Sequence, residues 1–303
     1  MPCYSPLAGW RARERSPSGK RKVVFDMHEG LIDLPVFLPC GQCIGCRLKY
    51  SRDWALRCVH EASQWQANCF ITLTYNDQNV PKRGSIDKEH PVLFMKRLRK
   101  RFGAKIRSFG AAEYGENFGR PHYHILLFNF DFPDRELFYE RNGVRIYTSS
   151  TLDDIWGLGY TTVGDVNFQS AAYVARYVMK KQKGKLASLH YERWDAEKQE
   201  YYDLVPERPI CVSRRPGVGR DWYETYKDQV FPDDFVVHDG KKLAVPKYYS
   251  SLLELDNPEM SRIIKAKRKN AVSERAEETS LERLRVKEYI QRQKLDKLKR
   301  TLK

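Results

Sequence analysis

Two histidines one residue apart, His122-Tyr123-His124, are the sharpest chemical signal in this 303-residue chain. In a β-strand, residues i and i+2 face the same way, so the two imidazoles project side by side at a spacing suited to one metal ion. Tyr123 and Ile125 then point into the core. Glu113 lies on the preceding segment, and Gly115-Glu116-Asn117-Phe118-Gly119-Arg120-Pro121 reads as a hairpin connection. That hairpin lays Glu113 beside the histidines, with Glu116 in the turn as the alternative ligand. Two imidazoles and a carboxylate suit Mn²⁺, and Mg²⁺ with retained waters.

A second signal is the pair Tyr173 and Tyr177, four residues apart on a predicted helix. Both hydroxyls leave nearly the same face. A phenol with a pKa near 10 is a poor nucleophile at neutral pH. Cations such as Arg176, Lys180 and Lys181 favour the phenolate, and a metal polarises the group it attacks. By themselves, tyrosines at this spacing more often pack in a core. Cys40, Cys43 and Cys46 form a third constellation, C-x-x-C-x-x-C, with three thiolates for a structural Zn²⁺ and Cys3, His28, Cys58, His60 or Cys69 as the fourth ligand. Ser213-Arg214-Arg215-Pro216-Gly217 forms a turn able to offer backbone N–H groups and guanidiniums to a phosphate.

The elements that must position these residues are legible. Cys46 to about Gln66 has helical apolar spacing, and Cys69 to Tyr75 is rich in β-branched and aromatic residues. Pro91 opens a helix that runs to Phe102 and stops at Gly103. Strands follow at about Lys105–Tyr114 and His122–Phe130, then an insertion over 131–150. A strand at Gly159–Val166 and a helix at Ser170–Lys181 complete the middle. This order predicts an α+β fold with a central, mainly antiparallel sheet, helices packed on one face, and a basic C-terminal helix. Composition divides the chain into an N-terminal Cys-containing segment and helix (1–67), the core (68–190), a mixed accessory region (191–255) and a basic helical tail (256–303).

The charge points to a polyanionic partner: Lys and Arg number 54 against 39 Asp and Glu, a net +15. From residue 260 onward, 15 Lys and Arg face 6 Asp and Glu without a Gly or Pro, as in a solvated helix. At 41% hydrophobic and 13% aromatic residues a packed core is expected. No apolar stretch is long enough to cross a membrane, Met1 to Gly9 lacks a secretory pattern, and the seven cysteines are expected to be reduced thiols.

Phe70-Ile-Thr-Leu-Thr-Tyr75, Gly119-Arg-Pro-His-Tyr-His-Ile-Leu-Leu-Phe128 and Tyr173-Val-Ala-Arg-Tyr-Val-Met-Lys-Lys181 together resemble, in order, the three motifs of HUH endonucleases. The likeness is greatest to replication initiators of gokushovirus-type Microviridae, single-stranded-DNA phages, whose pattern Pro39-Cys-Gly-Gln-Cys-Ile-Gly-Cys-Arg47 and Ser213-Arg-Arg-Pro-Gly-Val-Gly219 also resemble. It covers most of residues 38–225. The resemblance implies an HUH/RRM-like core, a metal pair at His122 and His124, catalytic Tyr173 and Tyr177 followed by Lys180 and Lys181, and a structural or DNA-contacting part for Thr72 and Thr74. Glu113 as third ligand comes from hairpin geometry.

The expected activity is nicking of one strand at an origin through a 5′-phosphotyrosine link, leaving a 3′-OH for rolling-circle replication. DNA contacts are expected from Arg120, Arg176, Arg214 and Arg215. The expected partners are single-stranded and replicative-form DNA with host helicase and polymerase, in the cytoplasm of a bacterial host. Two rival readings are a relaxase or transposase of the same chemistry, and a non-catalytic nucleic-acid-binding or packaging protein with a structural zinc.

Overall fold

The computed structural model describes residues 3–17, 19, 21–103, 105–115, 119–177, 186–274 and 277–297, with the side chains of Tyr177 and Leu186 excepted. Two compact units emerge, one from Met1–Lys49 with Arg268–Arg300 and one centred on Tyr50–Lys267.

The first unit contains strands β1 (Leu7–Ala12), β2 (Val23–Val24) and β3 (Gly30–Leu38), in the antiparallel order β2-β1-β3. It also holds the first residues of helix α1 (Ile44–Ala62), whose remainder belongs to the second unit.

The second unit is built on a seven-stranded sheet. Its strands are β4 (Asn68–Thr74), β5 (Arg107–Tyr114), β6 (Pro121–Phe128), β7 (Glu136–Arg141), β8 (Val144–Thr148), β9 (Thr161–Asp165) and, after the separate hairpin of β10 (Glu192–Asp195) and β11 (Glu200–Asp203), β12 (Arg208–Ile210). The spatial order is β12-β5-β6-β4-β9-β8-β7, and every pairing is antiparallel. The expected α+β class with its antiparallel sheet is therefore present.

The helices, however, cover both faces rather than one. Helices α2 (His90–Phe102) and α3 (Ser150–Trp156) place Phe94, Met95, Leu98, Leu152 and Trp156 against Ile71, Leu73, Tyr123 and Ile125. On the opposite face, Ala55 and Cys58 of α1 and Ala171, Val174 and Ala175 of helix α4 (Phe168–Tyr177) pack on Phe109, Ala111, Leu126 and Phe128. The reason lies in β6. Ile125-Leu126-Leu127-Phe128 is apolar at both parities, so both faces of the sheet carry surface that must leave water.

Residues 131–150, expected as an insertion, instead extend the sheet. Asn142-Gly143 turns β7 into β8 with positive φ at both residues, the two-residue hairpin geometry. All six residues of β7 are exposed, as suits an edge strand.

After the short helix α5 (Leu186–Tyr191) and β12 come α6 (Arg220–Val230), strands β13 (Phe235–His238) and β14 (Lys241–Ala244), and α7 (Lys247–Asp256). These pack Tyr223, Phe231, Val236, Tyr249 and Leu252 around Leu56 of α1. The basic tail forms two helices, α8 (Pro258–Ser273) and α9 (Leu281–Asp296), where one was expected. Ser280 starts the second by accepting a hydrogen bond from the Arg283 backbone N–H at 3.3 Å.

Candidate active site

Strands β5 and β6 pair with Glu113 opposite His122 and Ala111 opposite His124, while β4 sets Thr72 opposite His124. This register brings Glu113, His122 and His124 to one face, with their ligand atoms within 4.8 Å of one another. Glu113 Oε1 is 2.7 Å from His122 Nε2 and 2.9 Å from His124 Nε2. Burial opposes ionisation of Glu113, but hydrogen bonds and charge attraction from His122 and His124 prevail and hold its pKa at about 2.

The other ring nitrogens are engaged behind the site. His122 Nδ1 lies 3.1 Å from the Arg120 carbonyl oxygen, and His124 Nδ1 lies 3.1 Å from the Thr72 hydroxyl. Each imidazole thus turns Nε2 towards the shared carboxylate while Nδ1 is held by an outer partner. That is the arrangement in which a ligating histidine is fixed in ring orientation and tautomer. Two nitrogens and a carboxylate oxygen converging from one strand pair fit a divalent cation with room for further ligands. Glu116, the alternative ligand, lies outside the described residues.

Helix α4 crosses this face of the sheet and carries Tyr173. Its ring centroid is 5.2 Å from that of His124, edge-on at 76°, and Phe70 stacks on His124 from β4 at 5.7 Å. Tyr173 is partly buried against the α1–α4 cluster, so its ring is positioned by packing as well as by the helix. Tyr177 closes the same helix one turn later, and its side chain lies outside the described residues, as do Lys180 and Lys181.

Residues 68–182, a stretch that begins with β4 and includes α4, match the family described as replication-associated protein ORF2/G2P. Replication-associated protein VP4 of Bdellovibrio phage phiMH2K is 32% identical over 73% of this chain and 69% of its own length. Replication-associated protein ORF2 of Spiroplasma virus 4 is 32% identical over 84% of this chain and 81% of its own. The chain belongs to the phage replication-associated proteins. Replication-associated protein ORF4 of Chlamydia phage 1 is 29% identical over 71% of the chain and 53% of its own length. No solved structure matches.

In this replication-associated protein the expected DNA-contacting arginines are dispersed. Arg120 donates to the Tyr75 carbonyl oxygen at 2.8 Å and pairs with Asp77, so its guanidinium braces the end of β4. Arg176 is exposed on α4, and Arg214 and Arg215 are exposed on the loop after β12. Buried Glu61 organises that loop, bonding Arg107 and accepting from the Gly219 backbone N–H at 2.6 Å.

A groove of about 540 Å³ opens beside the β5–β6 turn, lined by Gly115, Gly119, Tyr114, Tyr202, Arg83 and Arg193 among others. The groove has no local signal in the sequence, because it is lined from three separate stretches, around residues 83–84, 114–119 and 190–207. Sequence reading also left Thr72 without a defined part, since the β4–β6 register that pairs it with His124 has no local signal. Cys3 joins Cys40, Cys43 and Cys46 in a second cluster of ligand atoms within 4.8 Å of one another. Of the other fourth-ligand candidates, Cys58 and Cys69 are buried in the second unit, His60 bonds Tyr249, and His28 is exposed.

Proposed function

We propose that this chain is a replication initiator that nicks one DNA strand at an origin by metal-assisted tyrosine transesterification. The observation that carries this reading is the Tyr173 ring set 5.2 Å from His124, whose Nε2 meets the same Glu113 oxygen as His122. The names of the relatives, all phage replication-associated proteins, support the replication part of the reading.

Glu113, His122 and His124 would hold a divalent ion, Mn²⁺ or Mg²⁺, in this role. When bound, such an ion polarises the scissile phosphate and offsets the charge that builds on it. Tyr173 supplies the oxygen that attacks phosphorus. Its phenolic proton leaves, the bond from phosphorus to the 3′ oxygen breaks, and that oxygen takes up a proton as a free 3′-OH. The 5′ phosphate remains joined to the tyrosine. One phosphodiester is exchanged for another, so attack by a 3′-OH on the phosphotyrosine reseals the strand without ATP.

Tyr177, one helical turn from Tyr173, would cut the regenerated origin while the first tyrosine holds the old 5′ end. The net charge of +15 favours a nucleic-acid strand by charge. Host helicase and polymerase, acting in the bacterial cytoplasm, are the partners this role would use.

Incubating the protein with single-stranded origin DNA and Mn²⁺ should yield an SDS-resistant protein–DNA adduct. Chelation should abolish it. Tyr173→Phe with Tyr177→Phe should abolish it too, and mass spectrometry should map the nucleotide to one of these tyrosines. Cleavage persisting in the double variant would exclude tyrosine chemistry. DNA binding without cleavage under any metal would favour the non-catalytic alternative.

A further inference from the structure

The first unit carries a cluster that the nicking chemistry does not use. Cys3, Cys40, Cys43 and Cys46 bring four sulfurs together where the chain enters helix α1. None is in a disulfide. Cys3 Sγ lies 3.6 Å from Cys40 Sγ and 3.9 Å from Cys43 Sγ, far beyond a sulfur–sulfur bond of about 2.05 Å. These separations have another natural meaning. Four thiolates about 2.3 Å from a tetrahedral Zn²⁺ stand about 3.8 Å apart along each edge. The Cys3–Cys40 and Cys3–Cys43 separations bracket that value.

The backbone around the cluster is consistent with sulfurs that carry negative charge. Amide N–H groups are directed at them: Tyr4 N to Cys43 Sγ at 3.3 Å, Cys40 N to Cys3 Sγ at 3.3 Å, and Gln42 N and Cys43 N to Cys40 Sγ at 3.4 and 3.2 Å. Donors of this kind stabilise thiolates and orient them, as outer partners do for other metal ligands. Gly41, with φ of +73°, forms the tight turn between Cys40 and Cys43 that lets both sulfurs face one point.

The described residues of the unit also bury little apolar surface. Among its described residues, Tyr4 and Leu284 are the only buried hydrophobic side chains, while Phe25, Ile32, Leu34 and Phe37 are exposed. A small unit with so little buried apolar surface generally needs a covalent or metal staple to hold its fold.

We propose that Cys3, Cys40, Cys43 and Cys46 bind one Zn²⁺ as a structural tetrathiolate that ties the N-terminal residues to the start of α1. Binding displaces the thiol protons to solvent, so loading rises with pH, and the ion does no redox chemistry. Cys3 is the long-range ligand, closing a loop of 37 residues onto Cys40.

The test uses the full chain purified anaerobically under reducing conditions. Elemental analysis should find one zinc per chain, retained in His122→Ala/His124→Ala and lost in Cys40→Ser/Cys43→Ser. Replacement by Co²⁺ should give the visible bands and the sulfur-to-cobalt charge transfer of a tetrahedral S₄ site. Cys3→His should keep the metal but move those bands to an S₃N pattern, which separates ligand exchange from simple misfolding. The proposal is overturned if the reduced chain has no tightly held zinc and gains none on addition of Zn²⁺, or if the cysteine variants keep it. Stoichiometric iron in place of zinc, or a Cys3–Cys40 disulfide in protein never exposed to oxidant, would overturn it as well.

Discussion

At the scale of single residues, the candidate centre depends on atoms one step removed from the ligands. The Thr72 hydroxyl holds His124 Nδ1, and the Arg120 carbonyl holds His122 Nδ1. Thr72→Val keeps the strand shape but removes the hydroxyl that lies 3.1 Å from His124 Nδ1. Loss of such a partner typically weakens metal affinity by about 10–100-fold. We expect a Mn²⁺ titration of T72V by calorimetry to show a weakening in that range, with the far-UV circular dichroism unchanged; unaltered affinity would mean that the threonine does not orient the histidine. Glu113→Gln keeps the volume but removes the charge between the two imidazoles, and it should lower adduct formation by about 100-fold or more. A quenched-flow measurement of adduct formation with saturating Mn²⁺ checks this.

At the scale of elements, the loop from Ser213 to Gly219 is held by backbone contacts that only certain residues permit. Gly219 has φ of +80°, and a Cβ there would stand 2.4 Å from Tyr249 Oη and 3.3 Å from the Arg57 carbonyl oxygen. Gly240 has φ of +70°, yet a Cβ there meets nothing within 4 Å. Gly240→Ala should therefore cost only the left-handed backbone strain, about 1 kcal/mol. Gly219→Ala adds the displacement of a buried tyrosine and should cost about 2–4 kcal/mol. Chemical denaturation of both variants measures the difference, and equal losses would mean that Tyr249 yields without cost. The β7–β8 hairpin belongs to this scale too. Its Asn142-Gly143 pair was a readable turn signal in a stretch otherwise taken for an insertion.

At the scale of the second unit, a buried histidine couples stability to pH. His60 of α1 stacks on Trp222 of α6 with ring centroids 3.6 Å apart, and its Nδ1 is 3.0 Å from Tyr249 Oη of α7. Burial, with repulsion from His238, lowers its pKa from 6.5 to about 3. Between those values the unfolded chain binds a proton that the folded chain refuses. Stability from this group is fully present above pH 6.5 and is lost as pH falls towards 3. From about pH 7.5 to about pH 5 the loss should approach about 2 kcal/mol. Urea midpoints at the two pH values should differ less in His60→Phe than in the parent chain; an unchanged difference would assign the pH dependence to other groups.

Much of the second unit's core and candidate site was legible locally. Strand parity put His122 and His124 on one face, the hairpin brought Glu113 beside them, and the four-residue spacing placed Tyr173 and Tyr177 one turn apart. Each of these follows from the repeat of a single element or from one short turn. The strand over Cys69 to Tyr75 was legible from its β-branched and aromatic residues, and in β4 Cys69, Ile71 and Leu73 are the buried ones.

Tertiary structure alone decided what depends on pairing distant segments. It set the β4–β6 register that gives Thr72 to His124, laid α4 over the face that holds Glu113, and chose Cys3 among five candidates to meet the three clustered cysteines. It also covered both faces of the sheet, because an apolar run at both parities leaves no face for water. Periodicity shows which way a side chain points; only packing, through the burial it achieves across the whole chain, determines what that side chain meets.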